Sequence, residues 1–194
     1  MIGAIIGDIA GSRFEFNRTN RTDFVLFTPQ CDFTDDTICT IAIADAIMNR
    51  NNDFRGALLY WCNRYTHPMG GYVWRFLQWL QNHVQYDSIG NGAAMRVSPV
   101  AWLCNDMSYV MNAAKAQSEV SHNHPEGIRG AQCVAMAILL ARNDMVQRWK
   151  WSQSQLASLL LAHSKPPLMM YQTTSQKTRV RSLWWGKRIY QKWK

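Results

Sequence analysis

The sequence predicts an all-α protein. Strand signals are almost absent from its 194 residues. Apolar residues instead come in runs long enough for a helix, as from Ile38 to Ala44, or at helical spacing, as in Val73, Phe76, Leu77 and Leu80. Between them stand the breaks and starts that helices use: Asn49-Arg50-Asn51-Asn52 ahead of Asp53, Ser98-Pro99, and Pro125.

Residues 2–12 suit a short buried strand or a helix. As a helix, Gly3, Gly7 and Gly11 fall at i, i+4, i+8 and would line one face with small residues, permitting close packing. A strand would suggest a dinucleotide fold, but Gly7-Asp8-Ile9-Ala10-Gly11 lacks the GxGxxG spacing. Glu15 follows between Phe14 and Phe16. A carboxylate so placed is either solvated at an edge or held by a partner in a site. Residues 17–30 are polar and irregular and read as a loop.

A helix over 34–49 follows, with Thr34 or Asp35 as its N-cap and Asp36 complementing the helix dipole. Asp53 caps a second helix reaching Tyr65. In the next loop, His67 reads as a turn residue. Residues 72–84 form a helix whose Trp74 and Trp79 are expected in the core. Two glycines around an asparagine at 90–92 make a tight turn with exposed backbone N–H groups, and small residues then open a helix. Further helices are expected from Ser98-Pro99, over 106–120, and over 126–142 with Pro125 in its first turn. His122 and His124 flank that last start. They make a weak zinc pair, with no Cys or third His at ligand spacing, and suit hydrogen bonding to a ligand or loop better.

The composition is 47% hydrophobic, enough for one substantial core. Five cysteines without a CxxC read as reduced core thiols in a cytoplasmic protein. The N-terminus lacks a basic region and Asp8 interrupts its apolar run, so a signal peptide is not expected. No apolar run approaches the length of a membrane span. The net charge of +8 is unevenly placed: residues 145–194 hold 10 Lys+Arg and no acid, and residues 1–144 hold 11 Lys+Arg against 13 Asp+Glu. The basic segment also carries five of the nine Trp, and only 152–163 has helical character.

Thr34-Asp35-Asp36-Thr37 has two readings. Adjacent carboxylates at a helix mouth repel, and the helix dipole offsets only part of that. A hard cation would offset far more and favours carboxylate and hydroxyl oxygens. Likewise, the 88–92 turn is either a plain helix connection or a cradle for a phosphate.

Four stretches together carry a resemblance. They are Gly7-Asp8-Ile9-Ala10-Gly11 with Glu15; Thr34-Asp35-Asp36-Thr37; Ser88-Ile89-Gly90-Asn91-Gly92-Ala93-Ala94-Met95-Arg96; and Ser121-His122 before a Gly/Ala-rich helix. Their order and spacing over residues 1–144 resemble the ADP-ribosylglycohydrolase family, which includes the dinitrogenase reductase-activating glycohydrolases. The resemblance implies a compact all-α bundle, acting as a monomer, with a pair of Mg²⁺ or Mn²⁺ ions. It implies Thr34, Asp35 and Asp36 as one half of the metal site, and Glu15 and Asp36 as catalytic carboxylates. Ser88, Gly90, Asn91, Gly92 and His122 would contact diphosphate and ribose. The implied reaction frees ADP-ribose from a protein or small-molecule acceptor. It passes through an oxocarbenium-like state at ribose C1″, where a carboxylate takes a proton from water.

The sequence departs from this family in one respect. The family's second metal-ligand cluster is a late D-x-D-T, and this chain has no D-x-D and no carboxylate after Asp144. Residues 145–194 therefore read as a replaced or out-of-frame C-terminus. The rival reading is a basic, Trp-interleaved arm for nucleic acid. Function is expected to be either impaired hydrolysis or non-catalytic binding of ADP-ribose or nucleic acid.

Overall fold

The computed structural model describes residues 1–143. The boundary at 144, the basic segment 145–194 and the helix expected at 152–163 lie outside the described residues. Met1–Asn17 and the described residues from Val25 onward form one compact unit. Arg18–Phe24 belongs to a second, within which Arg21 pairs with Asp23 at 2.8 Å.

The first unit is all-α. Its order is α1 (Ile2–Gly11), a 3-10 turn (Ser12–Phe14), α2 (Asp35–Asn49), α3 (Phe54–Arg64), α4 (Trp74–Asn82), α5 (Gly92–Met95), α6 (Ser98–Leu103), α7 (Met107–Glu119) and α8 (Pro125–Arg142). Among the described residues β pairing is confined to two isolated bridges, Thr34 with Met69 and Tyr86 with His122.

Local chemistry sets most helix ends. Thr34, Asp53 and Asp106 cap α2, α3 and α7, accepting from the N–H groups of Asp36, Gly56 and Tyr109. His124 caps α8 through Nδ1, which accepts from Glu126 N–H, and Pro125 takes the first turn. Arg142, in the last turn of α8, donates to the carbonyls of Ala101 and Trp102 at the end of α6 and to that of Cys104. A cation there complements the negative end of the α6 dipole.

Helix α2 runs through the centre. It packs on α3, α6, α1 and α5, and α5 and α6 in turn pack on α8. Ile38, Cys39, Ala42, Ile43 and Ala46 of α2 join Leu58, Trp79, Val97, Val100, Val110 and Leu139 in one core cluster. With neighbours on several sides, α2 buries nearly its whole circumference, which explains why its sequence is apolar without a strong stripe.

Three expectations need correction. Trp79 is fully buried, but Trp74 is 69% exposed. The buried stripe of α4 is Phe76, Trp79 and Leu80, and five residues separate the tryptophans, about 140° around a helix. Gly3 and Gly11 do not form a packing groove among the described residues: there a Cβ on either would meet nothing within 4 Å. The group α1 buries is Asp8. Finally, only Cys39 and Cys62 are core thiols, their sulfurs 3.9 Å apart; Cys31 and Cys104 are half-buried and Cys133 is exposed. Cys133 falls two residues off the Ala131, Ala135, Leu139 stripe that α8 buries.

Candidate functional site

The mouth of α2 is built around a carboxylate from another helix. Asp8 Oδ2 accepts from Thr34 N–H at 2.9 Å and Thr37 Oγ1 at 2.6 Å, and Oδ1 accepts from Thr34 Oγ1 at 2.6 Å. These bonds explain an acid in an apolar helix: Asp8 is buried against the positive end of α2 and accepts from three donors. Thr34 Oγ1 also accepts from Asp36 N–H at 3.2 Å. Asp35 and Asp36 in the first turn are half-buried, and Asp36 Oδ1 is shielded from water.

Glu15 is exposed and reaches the loop at 66–71, its Oε2 3.4 Å from where a Cβ on Gly70 would lie. That loop is stitched to the α2 mouth, because Met69 N–H donates to Phe33 O at 3.2 Å. Glu15 thus stands beside the same neighbourhood as Thr34. His67 is a turn residue as expected, hydrogen-bonded to Thr66 Oγ1 at 2.7 Å.

The second group of residues comes together across a long stretch of chain. Tyr86 N–H donates to Ser121 O, which sets the segment before the 88–92 turn alongside His122. The imidazole of His122 lies directly on Gly92: a Cβ there would stand 2.5 Å from Nε2. The Ser88 carbonyl lies as closely on Gly127, 2.8 Å from a Cβ at that position. Only glycine tolerates such approaches. Ser88 Oγ accepts from Gly90 N–H at 3.1 Å and holds the turn; Asn91 is exposed.

Arg96, at the end of α5, is wholly buried. Its Nε donates to Gln117 Oε1 at 2.8 Å, and Nη2 donates to Gln117 O and Ser121 Oγ. Burial and the Arg96 cation hold His122 down at about 3, and burial foremost raises Tyr86. The Asp35 carboxylate adds to the rise at both Tyr72 and Tyr86.

A family model described as ADP-ribosylglycohydrolase matches residues 1–188. The chain belongs to the ADP-ribosylglycohydrolase family. No curated protein matches it. The match to this glycosidic hydrolase family runs beyond Asp144 into the basic segment. The all-α fold agrees with that membership, and no helix among the described residues is long and apolar enough to cross a membrane.

For this member, the fit to a metal ion is poor. No group of three His, Cys, Asp or Glu among the described residues could hold one. Asp8, the third carboxylate near the α2 mouth, already accepts three hydrogen bonds from threonine and backbone donors.

Sequence reasoning missed Asp8, Tyr86 and Arg96. A lone acid in an apolar helix could have flagged Asp8. For Tyr86 and Arg96 no local signal existed, since their partners are 36 and 21 to 25 residues away.

The neutral His122 gives a pH prediction. The unfolded imidazole protonates near 6.5 and the folded one near 3. Between those values the unfolded state binds more protons, so stability is full above about 6.5 and falls as pH is lowered toward 3. The slope should approach about 1.4 kcal/mol per pH unit. Urea midpoints at pH 7.5 and 5.5 should differ less for His122→Gln than for the wild type. An equal difference in both would assign the titration to another group.

Proposed function

We propose that this chain recognises ADP-ribose and that its hydrolytic step, cleavage of an N- or O-glycosidic bond at ribose C1″, is impaired. The substrate class is an ADP-ribosylated protein or small molecule. The observation that carries this reading is the seating of His122 on Gly92, beside the exposed backbone of the turn. Backbone N–H groups around Gly90, Asn91 and Gly92, with Ser88, would face a diphosphate. His122 would pack against the ribose or diphosphate. Glu15 and Asp36 would orient a water and accept its proton.

Thr34, Asp35 and Asp36 supply at most three ligands where Mg²⁺ takes about six oxygens, so at most one Mg²⁺ or Mn²⁺ would bind, and weakly. Impairment follows from the missing second carboxylate cluster.

The test is calorimetric titration of residues 1–194 with ADP-ribose. Binding should be measurable and should weaken about tenfold or more in Gly92→Ala, whose added methyl displaces the His122 ring. No binding by the wild type, or equal binding by the variant, would refute the reading.

The second reading, nucleic-acid binding, is favoured by one observation: 10 Lys+Arg and no acid at 145–194. It predicts retention on nucleic acid that weakens steeply with salt.

A further inference from the structure

We infer that Tyr86 is a ligand-binding residue, its hydroxyl proton aimed at a phosphate oxygen by a directed run of hydrogen bonds from Arg96 through Ser121 and His122. The inference rests on the ADP-ribose reading above and adds to it a residue and a proton order.

The run begins with a group that can only donate. Arg96 has no acceptor atom, so Ser121 Oγ must accept from Nη2 at 2.9 Å. Ser121 Oγ also lies 2.9 Å from His122 Nδ1. Both residues are buried. If Nδ1 carried the proton, the Ser121 hydroxyl would accept twice and leave its own proton buried without an acceptor. That arrangement strips the hydroxyl of water and gives it no partner in return, a penalty the other order avoids. The guanidinium also polarises Oγ, making its O–H a better donor and favouring a bare nitrogen lone pair on that side. Ser121 therefore donates to Nδ1, and the ring proton resides on Nε2.

Nε2–H has one partner among the described residues, the Tyr86 hydroxyl at 3.4 Å. The rings are 5.0 Å apart at 58°. The phenol oxygen accepts there, so its own proton points elsewhere. Among the described residues no protein acceptor takes it. Tyr86 is half-buried, and its segment leads directly into the 88–92 turn. Burial raises Tyr86 and keeps the phenol protonated. The site thus presents a neutral donor backed at its far end by a buried cation, which suits an anionic oxygen that can only accept.

Two measurements test this. Long-range ¹H–¹⁵N correlation spectra of the ligand-free protein should show His122 protonated at Nε2 and bare at Nδ1. Ser121→Ala should mix the two tautomers. A proton on Nδ1 in the wild type would overturn the proton order. Titration with ADP-ribose should then show Tyr86→Phe binding about tenfold or more weakly, the loss of one hydrogen bond to a charged group. In adenosine, which lacks phosphate, the two proteins should bind alike. Equal ADP-ribose affinity in wild type and Tyr86→Phe would overturn the inference alone. Absence of ADP-ribose binding by the wild type would overturn the reading on which it rests, whatever the spectra show.

Discussion

Incubated with an ADP-ribosylated protein and Mg²⁺ or Mn²⁺, residues 1–194 should release ADP-ribose about a thousandfold or more slowly than a family member holding both metal-ligand clusters. Such a member keeps two ions together with carboxylates from both clusters. Here the chain offers Thr34, Asp35 and Asp36, and no acid after Asp144. Part of that set is already engaged. Thr34 Oγ1 gives its proton to Asp8 and accepts from Asp36 N–H, leaving at most one lone pair. Losing one catalytic ion removes several kcal/mol of charge stabilisation, hence the thousandfold scale. Replacing residues 145–194 with the acidic C-terminal half of an intact relative should restore turnover. The control is Asp35→Ala. Rates near those of typical enzymes from the unaltered chain, abolished in the control, would show that the basic segment completes the site.

Asp8→Ala should lower folding stability by about 3–5 kcal/mol, a large share of a domain's total. The substitution removes the acceptor of Thr34 N–H, Thr34 Oγ1 and Thr37 Oγ1, all in buried surroundings. It also removes the negative charge opposite the N-terminus of α2. Asp8→Asn keeps the shape but turns an amide donor toward other donors, so it should fall between. Urea midpoints give the measurement. A loss below about 1 kcal/mol for Asp8→Ala would mean that water replaces the carboxylate without penalty. Because Thr34 caps α2, the same variant should weaken whatever binds at Asp35 and Asp36.

Helix positions were legible because their signals are local. A cap such as Asp53 and the residue it serves, Gly56, lie three positions apart, and apolar spacing repeats within a dozen residues. The same locality limits what spacing can decide. It indicates that α4 has an apolar face, but both Trp74 and Trp79 are large and apolar. Only the direction of the core, set by α3 and the residues joining it, sends Trp79 inward and leaves Trp74 in solvent. The glycine series of α1 failed for a related reason. Small residues permit close packing but do not supply the neighbour, and among the described residues none is present at Gly3 or Gly11.

By itself the sequence determined the all-α class, most helix starts, the paired carboxylates at the mouth of α2 and the family to which the four stretches belong. The tertiary structure alone decided which polar groups these stretches meet. Asp8 finds its donors 26 and 29 residues away, and Arg96 reaches Ser121 across 25. Buried polar groups must be paired, but several distant partners could satisfy each one, and nothing in a neighbouring turn of sequence ranks them. Packing of α5 against α2 and α8 makes the choice, by burying Arg96 beside Gln117 and Ser121.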